Sequence, residues 1–287
     1  MRLSLLCFQD SSEKGIYMNN NAPIGVFDSG VGGLTVVKEI MRALPNESIV
    51  YYGDTARVPY GSKSAETVTA YSRQIAKFLM TQEVKAIVVA CNTVSALSLE
   101  SIKEEFDVPF IGVVKPGAKM AAQATKNNKI GVIATEGTIS SGIYEKFLKI
   151  TSPEVEVYGK ACPLFVPLAE EGWLRDDVTK QVAERYLAEL KEKNVDSLVL
   201  GCTHYPLLRG IIGEVMGKDV TLVNPAYETA RELCYVLEDK HLLKDASIQP
   251  THKFYVSDGA EKFRRFANTI LPCDHLEVED VAVKSFE

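Results

Sequence analysis

A chain of 287 residues with 46% apolar side chains can bury a substantial core without staples, and its length suits two ordinary domains or one large one. Its 32 basic and 38 acidic residues leave a net charge of −6, which argues against a nucleic-acid partner that needs a basic face but not against a small acidic ligand. The six cysteines, Cys7, Cys91, Cys162, Cys202, Cys234 and Cys273, include no Cys-x-x-Cys pair, so free thiols in a reducing cytoplasm are expected rather than a metal site or a disulfide scaffold.

The chain opens MRLSLLCFQDSSEKG, whose apolar stretch is too short for a signal sequence, and no later apolar run approaches membrane length. Residues 1–21 are expected to be a disordered N-terminal extension without a role. Beyond them, apolar runs alternate with stretches of helical periodicity, which predicts βα units around mostly parallel sheets. Strands are predicted at 23–27, 48–52, 85–90, 109–114, 129–133, 155–158, 196–200, 220–223 and 253–257. Several segments recur at nearly constant offset. IGVF at 24–27 matches IGVI at 130–133, and Tyr52-Gly53 matches Tyr158-Gly159, both 106 positions on. The trio Tyr71, Ile75 and Leu79 matches Val182, Tyr186 and Leu190 at an offset of 111, each trio forming one face of a helix. Cys91 and Cys202 are also 111 apart. Four matches in one order predict a duplicated unit, that is, two similar open α/β domains related by pseudo-symmetry. The first is expected over 22–115 plus 224–287 and the second over 116–223, with a site in the cleft between them.

In open α/β sheets, functional groups gather beyond the carboxyl ends of the strands. Ile87-Val88-Val89-Ala90 runs into Cys91, and Leu198-Val199-Leu200-Gly201 into Cys202, so facing copies would aim two thiols into one cleft. Metal binding would want more soft ligands nearby. A disulfide would need sulfurs closer than the walls of a ligand-sized cleft, and a single nucleophile would leave one cysteine idle. Two acid–base thiols flanking one carbon account for both: one removes a proton from one face, the other donates to the opposite face, and the product is the mirror image. Helix starts are expected shortly after each cysteine, from Leu99, Ile102 and Phe106 after Cys91 and from Pro206, Leu208, Ile211 and Val215 after Cys202. Such starts would tune the thiols and present N–H groups to carboxylates. Asn92, Thr93 and Thr203 add side-chain donors. VFDSGVGGLT at 26–35 fails as a dinucleotide fingerprint, because Thr35 stands at the last glycine position and Asp28 heads the loop where phosphates would sit. Asp28 can instead meet an ammonium group, steer a proton or cap the following helix.

In this order and spacing, FDSGVGGLTV, GDTARVPYG, VVACNT, GVIATEGT and LGCTHYPLL resemble the glutamate racemases over roughly residues 22 to 270. The resemblance implies a cofactor-independent isomerase that interconverts L- and D-glutamate and supplies D-glutamate for peptidoglycan. It also implies a cytoplasmic protein, usually a homodimer, that needs neither membrane nor nucleic acid. By the same resemblance, Cys91 takes the proton from D-glutamate and Cys202 from L-glutamate, with Asp28 assisting the first and His204 the second. Ser29, Tyr60, Gly61, Asn92, Thr93 and Thr203 match substrate-binding positions, together with Asp28 and His204, and Thr135 and Thr138 are further candidate carboxylate donors.

The remaining chemistry-bearing residues carry no such pattern. Glu170 and Glu171 are expected to be solvated, with a cleft carboxylate as the alternative, and Trp173 to be a packing anchor of the second unit. Cys7, Cys162, Cys234, Cys273, His241, His252 and His275 have no partner pattern. Rival functions are an aspartate or related amino-acid racemase, a non-catalytic nucleotide-binding module and a thiol–disulfide redox protein. The failed fingerprint and the absence of Cys-x-x-Cys count against the last two.

Overall fold

Apolar runs without interior polar residues form strands that can be covered on both faces, the pattern of parallel sheets. The first half of the chain supplies β1 (Ile24–Asp28), β2 (Ile49–Gly53), β3 (Ala86–Val89) and β4 (Phe110–Gly112). The second supplies β5 (Lys129–Ala134), β6 (Glu156–Ala161), β7 (Ser197–Gly201) and β8 (Thr221–Val223), and β9 (His252–Val256) and β10 (Val278–Asp280) follow. Every residue of β1, β2, β3 and β7 is buried. The computed structural model describes residues 19–272 and 276–286. The expected extension up to residue 18, Cys7, Cys273 and His275 lie outside the described residues.

All strand pairings are parallel. One sheet has the order β10-β9-β2-β1-β3-β4 and the other β6-β5-β7-β8. Without β9 and β10 the two orders are the same: β1 lies between β2 and β3, and β5 between β6 and β7. The expected repeat is thus realised as two α/β domains with one winding pattern. β10 escaped the sequence reading because it has three residues and only Val278 is buried, too little apolar signal for a periodicity argument.

Helices cover both faces of each sheet. On the first sheet, Val26, Ile40, Tyr51 and Phe254 form one core and Phe27, Tyr52, Ile75 and Leu79 the other. On the second, Leu187, Leu198 and Leu200 pack on one face and Ile130, Val132 and Leu148 on the other. Each fully buried side chain of this kind contributes about 1.5–3 kcal/mol before entropy is charged against it, so the strand ends are held on a stiff base. Truncating Ile75 to Ala would cost about 2–5 kcal/mol. The helix Val114–Ala124 follows β4 and the helix Pro225–Asp239 follows β8, and the two pack together where the chain passes between sheets. Among the described residues no helix is long and apolar enough to cross a membrane.

Trp173 is not the packing anchor expected. Its backbone N–H closes on Leu168 O at 3.0 Å after the turn at Gly172, which ends the short helix Phe165–Glu170 and leaves the indole 46% exposed.

Candidate active site

At β1 and β5 the strand order turns, with the next strands in sequence placed on opposite sides, the point where open α/β sheets form a crevice. At these two points the domains face each other across a cavity of about 60 Å³. Ser29, Tyr60, Gly61, Cys91, Asn92 and Thr93 line it from the first domain. Thr135, Val166, Glu170, Cys202, Thr203 and His204 line it from the second. The structure therefore brings together, around one cavity, every sequence-predicted site residue except Asp28 and the candidate donor Thr138.

Asp28 is wholly buried and stands behind the cavity wall. Its Oδ2 accepts the Gly30 N–H at 3.0 Å, and the Thr203 hydroxyl points at Oδ1 from 3.5 Å. Burial raises its carboxyl above the usual range, while the nearby His204 charge and the Gly30 and Gly33 N–H groups act to lower it. The glycines after Asp28 serve close packing. A Cβ on Gly32 would fall 2.3 Å from Thr203 Oγ1 and 2.6 Å from His204 Nδ1. The Thr35 hydroxyl donates to Thr203 O at 2.9 Å and ties the same turn to the second domain. The glycine-rich turn is thus a seam between domains, not a phosphate cradle.

Cys91 is the N-cap of the helix Asn92–Leu97, so the expected helix start comes at once, with a break at Ser98 before Leu99. This start acts on the thiol through the Val94 N–H, but burial outweighs it. Burial pushes Cys91 up to about 12, the Asp28 charge adds to it, and the Ser29 hydroxyl and Val94 N–H only partly oppose it. A thiolate in low dielectric costs more than a few neutral donors return. Cys91 is therefore a neutral thiol that donates to Ser29 Oγ at 3.5 Å.

Cys202 is served differently. A 3₁₀ turn, Tyr205–Leu208, follows it, and the α-helix begins only at Arg209, so a cation takes the place of a helix start. His204 Nδ1 lies 3.8 Å from Cys202 Sγ, and Nε2 lies 3.1 Å from Glu170 Oε1. Burial works to lower the imidazole, but its hydrogen bonds to Cys202 and Glu170 outweigh that and hold it up at about 10. His204 is thus an imidazolium at neutral pH. Its hydrogen bond holds Glu170 below the usual carboxylate range against an opposing burial effect.

Glu170 corrects the expectation of a solvated side chain, whereas Glu171 beside it is exposed. The signal that could have found it is the helix Phe165–Glu170 following β6, which carries its last residue to the cleft side. Tyr144 was also missed. Its hydroxyl donates to Asn92 Oδ1 at 2.6 Å across the domain seam. Three hydroxyls meet on the same seam: Thr93 and Thr135 at 2.9 Å, and Thr135 and Thr138 at 3.0 Å. Tyr60 lines the cavity with its ring, because its hydroxyl is committed to Asp54. The Gly137 N–H donates to Gly61 O at 2.8 Å and closes the cavity edge between domains.

A family model described as Asp/Glu/Hydantoin racemase matches residues 24–233. The glutamate racemase of Geobacter metallireducens is 54% identical over 248 residues, which cover 86% of this chain and 92% of that protein. Among solved structures, a glutamate racemase isoform from Bacillus anthracis has a TM-score of 0.88 at 41% identity, covering 92% of this chain and 98% of its own. The Francisella tularensis glutamate racemase in complex with D-glutamate has a TM-score of 0.86 at 41% identity, over 93% and 99%. The matched span holds both cleft cysteines, Asp28, Glu170 and His204, and on this evidence the chain belongs to the Asp/Glu/Hydantoin racemase family.

Proposed function

We propose that this chain interconverts L- and D-glutamate through two thiol acid–base groups acting on opposite faces of Cα, with no cofactor. The observation that carries the reading is that two thiols from equivalent strand ends, one per domain, line a single cavity. Glutamate as the substrate is supported by the similarity to glutamate racemases along most of the chain.

With L-glutamate bound, Cys202 as thiolate beside the His204 cation takes the Cα proton. The electron pair left behind spreads into the α-carboxylate, where hydroxyl and amide donors of the wall meet the growing charge. Cys91, kept protonated by burial, passes its S–H proton to the other face. The protein is left with a Cys91 thiolate and a Cys202 thiol, the arrangement that D-glutamate needs, and the charge of Asp28 behind Cys91 disfavours that thiolate and so strengthens it as the base that takes the next proton. Among the described residues of the wall there is no Lys or Arg, so neutral donors from Ser29, Asn92, Thr93, Thr135 and Thr203, with His204, would hold the carboxylates. Tyr60 and Gly61 close the edge.

A homodimeric, cytoplasmic enzyme supplying D-glutamate for peptidoglycan belongs to the same proposal and rests on the family resemblance. So do the domain limits 22–115 plus 224–287 and 116–223, which are supported by which strands share a sheet. Purified protein in heavy water with L-glutamate, and no added pyridoxal phosphate or metal, should lose optical rotation as deuterium enters Cα. Retained racemisation in a Cys91→Ala, Cys202→Ala double variant would overturn the thiol assignment. Turnover of L-aspartate in place of L-glutamate would move the chain to another substrate.

A further inference from the structure

The two thiol-bearing strand ends belong to different domains, so some contact must hold them at a fixed separation and orientation. Tyr144 reaches both. It is the second residue of the helix Ile143–Thr151 in the second domain and is 3% exposed. Its ring covers Gly201, the residue before Cys202: a Cβ there would lie 3.2 Å from the ring's Cε2, 2.8 Å from Ile133 O and 3.1 Å from Ala134 Cβ. Its hydroxyl crosses to the first domain and donates to Asn92 Oδ1, on the residue after Cys91, at 2.6 Å. One side chain therefore touches the neighbours of both thiols.

We propose that Tyr144 is a positioning residue that orients the Asn92 amide from across the domain seam for binding of a substrate carboxylate. The inference rests on the reading of the cavity as a racemase site and adds a residue to it.

The hydrogen-bond bookkeeping gives the reason. An asparagine amide has an acceptor end and a donor end, and a buried hydroxyl that donates to the oxygen fixes which end faces where. With Oδ1 taken by Tyr144 and Asn92 lining the cavity, its Nδ2 N–H groups are the donors left for a ligand there. A carboxylate there can accept from them, and a bond from a preorientated donor is gained without the cost of ordering the donor. Burial pushes the Tyr144 phenol far above its usual range, with the Cys202 charge adding to it, so it remains an O–H donor throughout working pH. The amide meets a carboxylate rather than the inverting hydrogen, so its loss should weaken both enantiomers alike.

The test is Tyr144→Phe, which removes one oxygen and keeps the ring on Gly201, compared with wild type, Asn92→Ala and the double variant. KM for L- and D-glutamate should rise together by about tenfold, the worth of one well-placed hydrogen bond to a charged group, with kcat within about threefold. Adding Tyr144→Phe to Asn92→Ala should cost less than about twofold more, because the two act through one bond. A Tyr144→Phe protein with a lower Tm but wild-type KM would show a purely structural role and overturn the inference, as would fully multiplicative losses. If Tyr144→Phe does not fold, Asn92→Asp serves, since it keeps the acceptor and removes both N–H donors. It should hold Tm and still raise KM, and an unchanged KM would sink the inference. A wild-type protein without glutamate racemisation would refute the site reading itself, a result distinct from all of these.

Discussion

Cys91 and Cys202 occupy one station in two copies of one unit, yet their surroundings have little in common. Under the repeat offsets, Asn92 corresponds to Thr203 and Thr93 to His204, while Asp28 corresponds to Ala134 and Ser29 to Thr135. The copies share the backbone and the thiol and differ at the positions around it. The first thiol has a hydroxyl beside it, a buried carboxyl behind it and a raised affinity for its proton. The second has an imidazolium tied to a glutamate. Two equal thiols would share a proton evenly, whereas a two-base reaction needs one thiol loaded and the other empty at each moment. In the proposed reaction the duplicated scaffold would supply opposed placement, and the divergent neighbours would supply the difference between the two sides.

The hardest blow to this comparison is to remove one thiol at a time. Each acid–base group in such a step is worth about 10²–10⁴-fold, so Cys91→Ala and Cys202→Ala should each lose racemisation by that order or more. The residual chemistry separates the faces. In heavy water, Cys91→Ala should still place deuterium at Cα of L-glutamate without inverting it and leave D-glutamate untouched, and Cys202→Ala should do the reverse. Proton NMR at Cα with optical rotation reads both. Exchange of the opposite enantiomer would reverse the assignment of thiols to faces.

A smaller perturbation is to remove each thiol's helper. Asp28→Asn and His204→Asn should lower kcat by about 10–100-fold, part of an acid–base contribution. The two enantiomers have equal free energy, so kcat/KM must stay equal in both directions in every variant, and asymmetry must be sought in isotope effects. If Asp28 serves Cys91, its loss makes abstraction from D-glutamate more rate-limiting. The primary isotope effect should then grow with Cα-deuterated D-glutamate and shrink with the L form. His204→Asn should give the mirrored pattern. Equal effects from both enantiomers would reduce these residues to shaping the pocket.

Much of the scaffold was legible because the code for it is local. Apolar runs such as Ile87-Val88-Val89-Ala90 predict buried strands by themselves, and a repeated offset reveals duplication without any knowledge of contacts. The strand-end thiols followed, because parallel α/β sheets always open at that end. What stayed hidden depends on contacts between segments far apart in sequence. Glu170 reads as one of two adjacent surface carboxylates until the fold sets it 3.1 Å from His204. Tyr144 carries no motif, and its meaning comes from an asparagine 52 positions away. Thiol tuning was legible only in part for a related reason: a helix start is visible in sequence, whereas the burial that outweighs it at Cys91 is a property of the packed interior.

The finest probe of the difference between the two sides is Glu170→Gln, which keeps the shape and deletes the charge behind His204. Glu170 helps to raise His204 to about 10, so in the variant the imidazole should lose its proton at lower pH. The alkaline limb of kcat should move toward neutrality, with a loss of about three- to tenfold at the optimum, a fraction of one acid–base contribution. Stability should follow the same sign. A histidine raised from 6.5 to about 10 contributes stability that is fully present below 6.5 and is lost as pH rises through about 10. Glu170, held low by the same bond, contributes stability present above 4.5 and lost as pH falls through its lowered value. Cys91 and Cys162, both raised to about 12, add a decline from pH 9 upward that wild type and variant share. Between pH 6.5 and 9, therefore, the His204 contribution to the wild-type Tm should fall, and in Glu170→Gln that fall should be complete at lower pH, while any loss through the raised Asp28 carboxyl is shared by both. Superimposable Tm and kcat profiles would mean that the glutamate does not charge the imidazole, and the second thiol would then lose the feature that sets it apart from the first.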